Sequence, residues 1–178
     1  MKILKYIGIA VLAIATLFII VCAILPSDFK VERSLEMNAP AGAVYAAISD
    51  YNNWARWSPW MEKDKSIVNT FEGTAASVGH KMSWTSDESG NGSMTITQIV
   101  PNETVAMDLE LKDMGMISLA KFVIAPTASG VKLTWSDEGN LGFFYRMFGI
   151  MSDKMMGPDF ERGLVNIKTY CEGMPKNP

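Results

Sequence analysis

Hydrophobic and polar positions divide the chain into three regions that have different periods. Residues 6–25 are uncharged and lack proline, and as a helix they would rise about 30 Å, the thickness of a bilayer's hydrocarbon core. Between residues 66 and 138 apolar and polar positions alternate, which predicts strands, and after Gly142 the period becomes helical. The pattern therefore predicts one transmembrane helix followed by an α+β domain.

The alternating region contains six candidate strands, separated by short breaks rich in Gly, Asn, Pro, Asp and Ser. Closely spaced strands with short turns imply an antiparallel meander. A further strand at residues 30–37 raises the expected number to about seven. The final helix presents one apolar face, formed by Phe160, Leu164, Ile167 and Cys171. We therefore expect a curved antiparallel sheet wrapped on a long C-terminal helix.

Two short helices are expected between the first strand and the meander. Residues 41–50 place apolar side chains at helical spacing. Residues 52–60 (NNWARWSPW) hold Trp54, Trp57 and Trp60, three of the five tryptophans in the chain. Steps of three residues turn each ring by about 60°, and each ring can bury about 150–250 Å². We expect these rings to wedge between the sheet and the terminal helix, either with one ring at a cavity entrance or with all three serving packing alone.

Lys2 and Lys5, which precede the apolar segment, set the expected orientation. By the positive-inside rule, residues 1–5 are cytoplasmic, residues 6–25 span the membrane, and the rest is extracytoplasmic. We divide the remainder into a linker at residues 26–29 and one domain at residues 30–174. A cleaved signal peptide is the alternative, although its apolar region would be only about 7–15 residues long. The favoured interpretation is a single-pass membrane protein.

Charge and cysteine content narrow the classes of partner. After residue 25 the chain carries 14 basic and 19 acidic residues, a net charge of −5. This balance argues against nucleic acid and against electrostatic docking on anionic lipid, because both attract clustered Lys and Arg. Cys22 lies in the apolar segment and Cys171 near the C-terminus, so we expect no internal disulfide.

Four segments resemble a known superfamily. They are VERSLEMNAPAGAVYAAISDYNNWARWSPW (31–60), GSMTITQIVPNETV (92–105), VKLTWS (131–136) and MMGPDFERGLVNIK (155–168). Together they resemble the SRPBCC superfamily of START/Bet v 1-like domains, and are most similar to its polyketide cyclase/dehydrase-like branch, including bacterial members with one N-terminal membrane helix. The resemblance implies a helix-grip fold with a cavity for a hydrophobic ligand. It implies no particular reaction.

Side chains suited to catalysis are scarce, and none of the usual motifs is present. His80 is the only histidine, and the sequence contains no HExxH, CxxC, GxSxG, GxGxxG or phosphate-binding loop. We therefore predict no metal and no cofactor. His80 shares strand parity with Met82 and Trp84, so it is expected to point inward. It is then either a hydrogen-bonded core histidine or a polar anchor or general base in a cavity.

Asp137 is the second weak catalytic candidate. It shares parity with Leu133 and Trp135 at the end of a strand, so it is either a partner at the cavity rim or a solvated strand end. Of these we favour the solvated end. Asp108 and Glu110 are a tempting acid/base pair. However, they alternate with apolar residues that claim the core face, so we expect both carboxylates to face water.

Methionines at positions 147, 151 and 155 recur every four residues along the start of the terminal helix. Such a stripe is either core filling or a soft wall that adapts to a variable ligand. A thioether site for Cu(I) is disfavoured, because no His or Cys adjoins the stripe. The complete set of predicted ligand-binding residues is Trp54, Trp57, Trp60, His80, Met82, Trp84, Trp135, Met147, Met151 and Met155.

Three functions remain open from the sequence. The leading hypothesis is a membrane-anchored binding domain for a hydrophobic small molecule, such as a lipid, an isoprenoid or a polyketide-like compound. The second is a cofactor-independent cyclase or dehydratase that uses the same cavity. The third is an interaction module with a filled core. Cavity volume separates the third hypothesis from the first two, and turnover separates the second from the first.

Overall fold

The computed structural model describes residues 2–173, and within that range it contains four α-helices and one sheet. The helices are α1 (Lys2–Ile24), α2 (Ala41–Ser49), α3 (Pro59–Lys63) and α4 (Arg146–Glu172). The strands are β1 (Asp28–Met37), β2 (Val68–Glu72), β3 (Lys81–Thr85), β4 (Gly92–Val100), β5 (Thr104–Leu111), β6 (Met116–Thr127) and β7 (Gly130–Asn140). Short 3-10 helices cover Tyr51–Arg56, Lys112–Met114 and Phe143–Tyr145.

The boundaries differ slightly from those expected from the sequence. Helix α1 begins at Lys2, so the residues predicted as a cytoplasmic terminus continue the helix. Strand β1 begins at Asp28, two residues before the predicted domain start at residue 30. The predicted domain end at residue 174 lies outside the described residues.

The seven strands form one antiparallel sheet in the order β1-β7-β6-β5-β4-β3-β2. Strands β2 to β7 follow one another as a meander, as their short turns predict. Strand β1 instead pairs with β7, from Asp28 opposite Asn140 to Met37 opposite Val131. The chain between β1 and β2 therefore crosses the concave face, where α2, the 3-10 helix Tyr51–Arg56 and α3 lie. With α4 on the same side, the predicted α+β helix-grip architecture is confirmed.

Aromatic rings from three layers meet at the centre of the core. The ring of Trp135 on β7 stacks on Phe160 of α4 at 4.3 Å and 8°. Trp57 packs edge-on against Trp135 at 5.8 Å and against Phe122 of β6 at 6.2 Å. Trp54 packs on Trp57 at 4.6 Å. The 3-10 helix thus fills the space between the sheet and α4, as the spacing of its tryptophans predicts.

The same tryptophans donate hydrogen bonds to backbone carbonyls at the end of α2. The indole Nε1 of Trp54 donates to the carbonyl of Ile48, and that of Trp57 donates to Ala47, each at 3.0 Å. Carbonyls in the last turn of a helix have no partner within the helix and need one from elsewhere. Both rings are buried, so these two hydrogen bonds connect the core aromatic cluster to the backbone of α2.

Arg33 fixes the position of α4 on β1. Its Nη1 lies 2.7 Å from Asp153 Oδ1 and its Nε lies 2.7 Å from Glu161 Oε1. Gly157 lies between these two carboxylates on α4, and a Cβ there would approach Arg33 Nη2 to 2.2 Å. Glu161 follows Pro158 by three residues, a spacing that predicts an acidic residue in the first turn of a helix. This prediction is wrong, because α4 begins at Arg146 and continues through Pro158.

Gly163 tests how closely α4 packs on the sheet. A Cβ at this position would lie 2.7 Å from Trp135 Cζ3, so Gly163→Ala is expected to lower the free energy of unfolding by about 1–3 kcal/mol. The measurement is denaturant unfolding followed by tryptophan fluorescence. Gly42→Ala in α2 is the matched control, because a Cβ there meets only Asn102 Oδ1 at 3.6 Å. A Gly163→Ala protein as stable as the Gly42→Ala protein would contradict this packing.

Candidate ligand cavity

A cavity of about 280 Å³ lies between the concave face of the sheet, α3 and α4. This volume is close to the lower end of small-molecule sites, about 300–1,000 Å³. The apolar part of its wall consists of Trp54, Trp60, Met61, Ile67, Met82, Trp84, Met94, Leu109, Leu111, Ala120, Trp135, Met156 and Phe160. Its polar part consists of Ser58, Asn69, Ser89 and Asp137. The wall is thus largely apolar, with few polar groups.

Several residues singled out from the sequence meet in this wall. Trp54 and Trp60 reach it from the short helices, Met82 and Trp84 from β3, and Trp135 from β7. The strand residues do so because side chains two apart point to the same face of a strand. Leu109 and Leu111 also line the cavity, in agreement with the core face predicted for β5. Asp108, which precedes Leu109, is exposed as expected, whereas Glu110, between the two leucines, is half-buried and accepts from the Ser93 hydroxyl at 3.1 Å.

The methionine stripe lies elsewhere, which corrects the expectation of a methionine ligand wall. Met147, Met151 and Met155 are 43%, 51% and 54% exposed, and none lines the cavity. Helix α4 instead packs through the series that starts at Met156 and continues with Phe160. One residue along a helix is a rotation of about 100°, so a register one position later turns the predicted stripe away from the sheet.

Trp57 and His80 are buried but do not line the cavity. The imidazole of His80 lies 4.8 Å from the ring of Tyr51, and its backbone carbonyl accepts from Ile96 N at 2.9 Å. Its Nδ1 has no hydrogen-bond partner among residues 2–173. This placement favours the core histidine over the polar anchor of a ligand.

Asp137 is the one ionisable side chain among the described residues that line the cavity. It is 1% exposed, in register with Val31 on one side and Ala120 on the other. Within the described part of the chain, neither carboxylate oxygen has a hydrogen-bond partner. Burial raises the pKa of Asp137 to about 6, and the nearby Ser118 hydroxyl offsets only part of this rise. The expectation of a solvated strand end is therefore wrong.

This carboxyl group can serve a ligand in two ways. Below a pH of about 6 it is protonated and donates an O–H, and above that pH it is a carboxylate that accepts hydrogen bonds. A buried polar group without a partner costs free energy that a hydrogen bond from a ligand would recover. Asp137 is thus suited to orient one polar atom of a molecule whose remainder contacts the apolar wall.

Asp64, which the sequence analysis missed, supports the cavity from outside. Its Oδ1 accepts from the Ser66 hydroxyl at 2.6 Å and its Oδ2 accepts from the Ser89 hydroxyl at 2.6 Å. Ser86 also donates to Oδ2. Hydrogen bonds from these serines hold the pKa of Asp64 well below its usual range. The carboxylate therefore joins the turn before β2 to the turn between β3 and β4, where Ser89 borders the cavity.

The sequence could have predicted only some of the hydrogen bonds that Asp64 accepts. An Asp followed two residues later by Ser is typical of a turn in which the carboxylate accepts from the backbone, and Ser66 N donates to Asp64 Oδ1 at 2.8 Å. The contacts to Ser86 and Ser89 join segments more than twenty residues apart. Their proximity follows from the pairing of β2 with β3, which only the folded chain reveals.

A curved seven-stranded antiparallel sheet that holds a long C-terminal helix around an apolar cavity defines the helix-grip class of α+β domains. A profile of the family described as polyketide cyclase / dehydrase and lipid transport matches residues 28–172. The chain therefore belongs to this family, whose description and fold indicate a domain for hydrophobic ligands. A search of curated protein sequences gives no significant match.

Solved structures share the fold at low sequence identity. Protein CV1439 from Chromobacterium violaceum is 19% identical with a TM-score of 0.62, covering 82% of this chain and 99% of that chain. An uncharacterised protein from Rhizobium leguminosarum is 16% identical with a TM-score of 0.63, covering 83% and 96%. The Aha1 dimer from Colwellia psychrerythraea is 16% identical with a TM-score of 0.57, covering 81% and 96%. At these identities the likeness shows the fold alone.

Asp137 makes a testable contribution to the pH dependence of stability. Because its pKa is raised to about 6 in the fold, the folded state binds its proton more tightly than the unfolded state. The protein should therefore lose up to about 3 kcal/mol from this group as pH rises from 4 to above 6. Asp137→Asn is expected to remove this loss and to be the more stable protein at pH 8.

The measurement is denaturant unfolding of wild type and Asp137→Asn at pH 4.5 and pH 8. Asp108→Asn is the matched control, since Asp108 is an exposed carboxylate on β5 and its removal should leave the pH dependence unchanged. If Asp137→Asn and wild type differ equally at both pH values, the carboxyl is not protonated by burial.

Proposed function

We propose that this chain is a membrane-anchored domain that binds a hydrophobic small molecule, such as a lipid, an isoprenoid or a polyketide-like compound, in its cavity. The observation that carries the proposal is an apolar cavity of about 280 Å³ whose wall contains one buried, unpartnered carboxyl group, that of Asp137. A core packed to crystal-like density would leave no comparable space, so the cavity favours ligand binding over an interaction module with a filled core.

The proposed anchor is helix α1. Its segment Ile3–Ile24 has a mean hydropathy of 3.0 and is long enough to cross a membrane. Nearly all of its side chains are exposed in the isolated chain, which suits lipid as their surroundings. Lys2 and Lys5 favour a cytoplasmic N-terminus and an extracytoplasmic domain. Protease digestion of intact and permeabilised cells tests this orientation, and a mature N-terminus near residue 24 would overturn the anchor.

A second candidate function is cofactor-independent catalysis of a cyclisation or dehydration in the same cavity. The observation in its favour is the pKa of Asp137, which at about 6 suits a group that exchanges protons near neutral pH. Catalysis would require Asp137→Asn to abolish turnover while ligand binding persists. A bound molecule that is recovered unchanged after prolonged incubation favours binding alone.

Filling the cavity tests whether it holds a ligand. Ala120 lines the cavity on β6, so Ala120→Leu is expected to reduce the amount of hydrophobic molecule that co-purifies by about tenfold, because the added side chain occupies the space. Native mass spectrometry and organic extraction of the purified protein measure this amount. Ala125→Leu is the matched control, since Ala125 is exposed on the same strand. Equal ligand content in both variants would contradict the site.

The tryptophans are expected to separate into two roles. Trp60 lines the cavity, so Trp60→Phe should lower the affinity for a hydrophobic fluorescent probe about threefold to tenfold, because ring contact is lost. Trp57 lies outside the wall and donates to Ala47, so Trp57→Phe should lower stability by about 1–3 kcal/mol and leave probe affinity unchanged. Probe titrations and unfolding curves of both variants give the comparison. Equal effects on affinity would remove the distinction.

A further inference from the structure

The beginning of α4 and the 3-10 helix before it carry an exposed apolar surface, which we call the aromatic–methionine patch. Its members are Phe143, Phe144, Tyr145, Met147, Phe148, Ile150, Met151 and Met155, each between 36% and 65% exposed. Large contiguous apolar surfaces are rare on soluble domains and indicate an interaction site. The patch includes all three methionines that the sequence analysis assigned to the ligand wall.

Helix α1 ends directly against this patch. Arg146 Nη1 donates to the carbonyl of Cys22 at 3.2 Å and to that of Leu25 at 3.4 Å. These carbonyls belong to the end of α1, where backbone acceptors lack helical partners and a cation is favoured. The rings of Phe18 and Phe144 are parallel within 4°, with centroids 6.4 Å apart. The patch therefore has a defined position next to the proposed membrane helix.

This contact sets the depth of the patch in a bilayer. Phe18 lies six residues before Ile24, which along a helix is about 9 Å towards the centre of the membrane. A side chain beside Phe18 then lies at about the depth, 5–10 Å below the surface, that interfacial helices reach. Phe144, whose ring is parallel to that of Phe18, is such a side chain.

We infer that the aromatic–methionine patch lies in the membrane interface beside α1, with its side chains among the upper acyl chains of the leaflet from which α1 emerges. The inference rests on the anchor in the proposed function. The partner is the apolar part of the lipid and not an anionic headgroup, because the domain has a net charge of −5 after residue 25. Between residues 143 and 155, moreover, Asp153 contacts Arg33 and Arg146 contacts the end of α1, which leaves one exposed cation, Lys154, and no cluster of basic residues for an anionic headgroup.

The position of the patch also gives the cavity a route to lipid. Met156 of the cavity wall follows Met155 of the patch directly on α4. Ser89 and Leu111 of the wall lie at the same end of the strands as Asp28, where β1 begins after α1. We therefore expect a hydrophobic ligand to enter the cavity from the end of the sheet that faces the leaflet.

Depth-dependent quenching on the full-length protein in phosphatidylcholine vesicles tests the inference. In a background with Cys22→Ala and Cys171→Ala, single cysteines replace Phe148, Ile150, Val165 or Leu12 and carry an environment-sensitive fluorophore. Val165 is the matched control, because it is 46% exposed on the same helix but lies about 22 Å beyond Ile150 along the helix. Leu12 reports on the middle of α1. Thermal unfolding of each labelled protein checks that it is folded.

Labels at residues 148 and 150 are expected to emit at shorter wavelength and to be quenched at least about twofold more than the label at residue 165 by lipid carrying a nitroxide near the headgroup. The label at residue 12 should be quenched by lipid carrying the nitroxide deep in the acyl chain. Quenching at residue 12 combined with behaviour at 148 and 150 equal to that at 165 overturns the inference and leaves the anchor intact.

Two other outcomes also contradict the inference. Absence of quenching at residue 12 defeats the anchor and, with it, the placement of the patch. A blue shift at residues 148 and 150 without quenching by lipid means that protein covers the patch, as in a second copy of this chain, and a chemical cross-link between copies through the same cysteines would identify that case.

Discussion

The packing of Trp57 between α2, the sheet and α4 is the interaction on which the remaining structure depends. Its ring touches Trp135 and Phe122, its Nε1 donates to Ala47, and its backbone carbonyl accepts from Asn166 of α4 at 3.0 Å. A curved sheet cannot bury its concave face alone, and α4 covers only one stripe of it. The short 3-10 helix supplies the missing volume because tryptophan brings the largest apolar area per residue.

The cavity lies in the part of the concave face that the tryptophans do not fill. Trp54 and Trp57 occupy the part of the concave face below α2, whereas the part between α3, β3 and the start of the buried stripe of α4 stays open. Asp137 lies in the open part without a partner in the described chain. A buried carboxyl in such a place lowers stability at neutral pH. Stability given up at a particular side chain is common where that side chain serves binding or catalysis.

Helix α4 divides into two halves with different surroundings. Its second half, from Met156 onward, packs its apolar stripe on the core and lines the cavity, and Arg33 holds the junction at Gly157. Its first half presents apolar side chains outward and touches the end of α1 through Arg146. One continuous helix therefore joins the proposed membrane anchor to the cavity wall.

The sequence by itself determined the number and order of strands, the long terminal helix, the apolar N-terminal helix and the inward parity of Met82, Trp84 and Trp135, because period and turn chemistry are local properties. Only the tertiary structure decided that Asp137 is buried while the methionine stripe is exposed. Asp137 is buried because β7 continues past it to Asn140 and its side chain faces the cavity that Met156 and Phe160 of α4 also line. A helix with apolar residues on two faces buries whichever face the close approach at Gly157 and Gly163 permits. Both outcomes depend on contacts between residues distant in the chain.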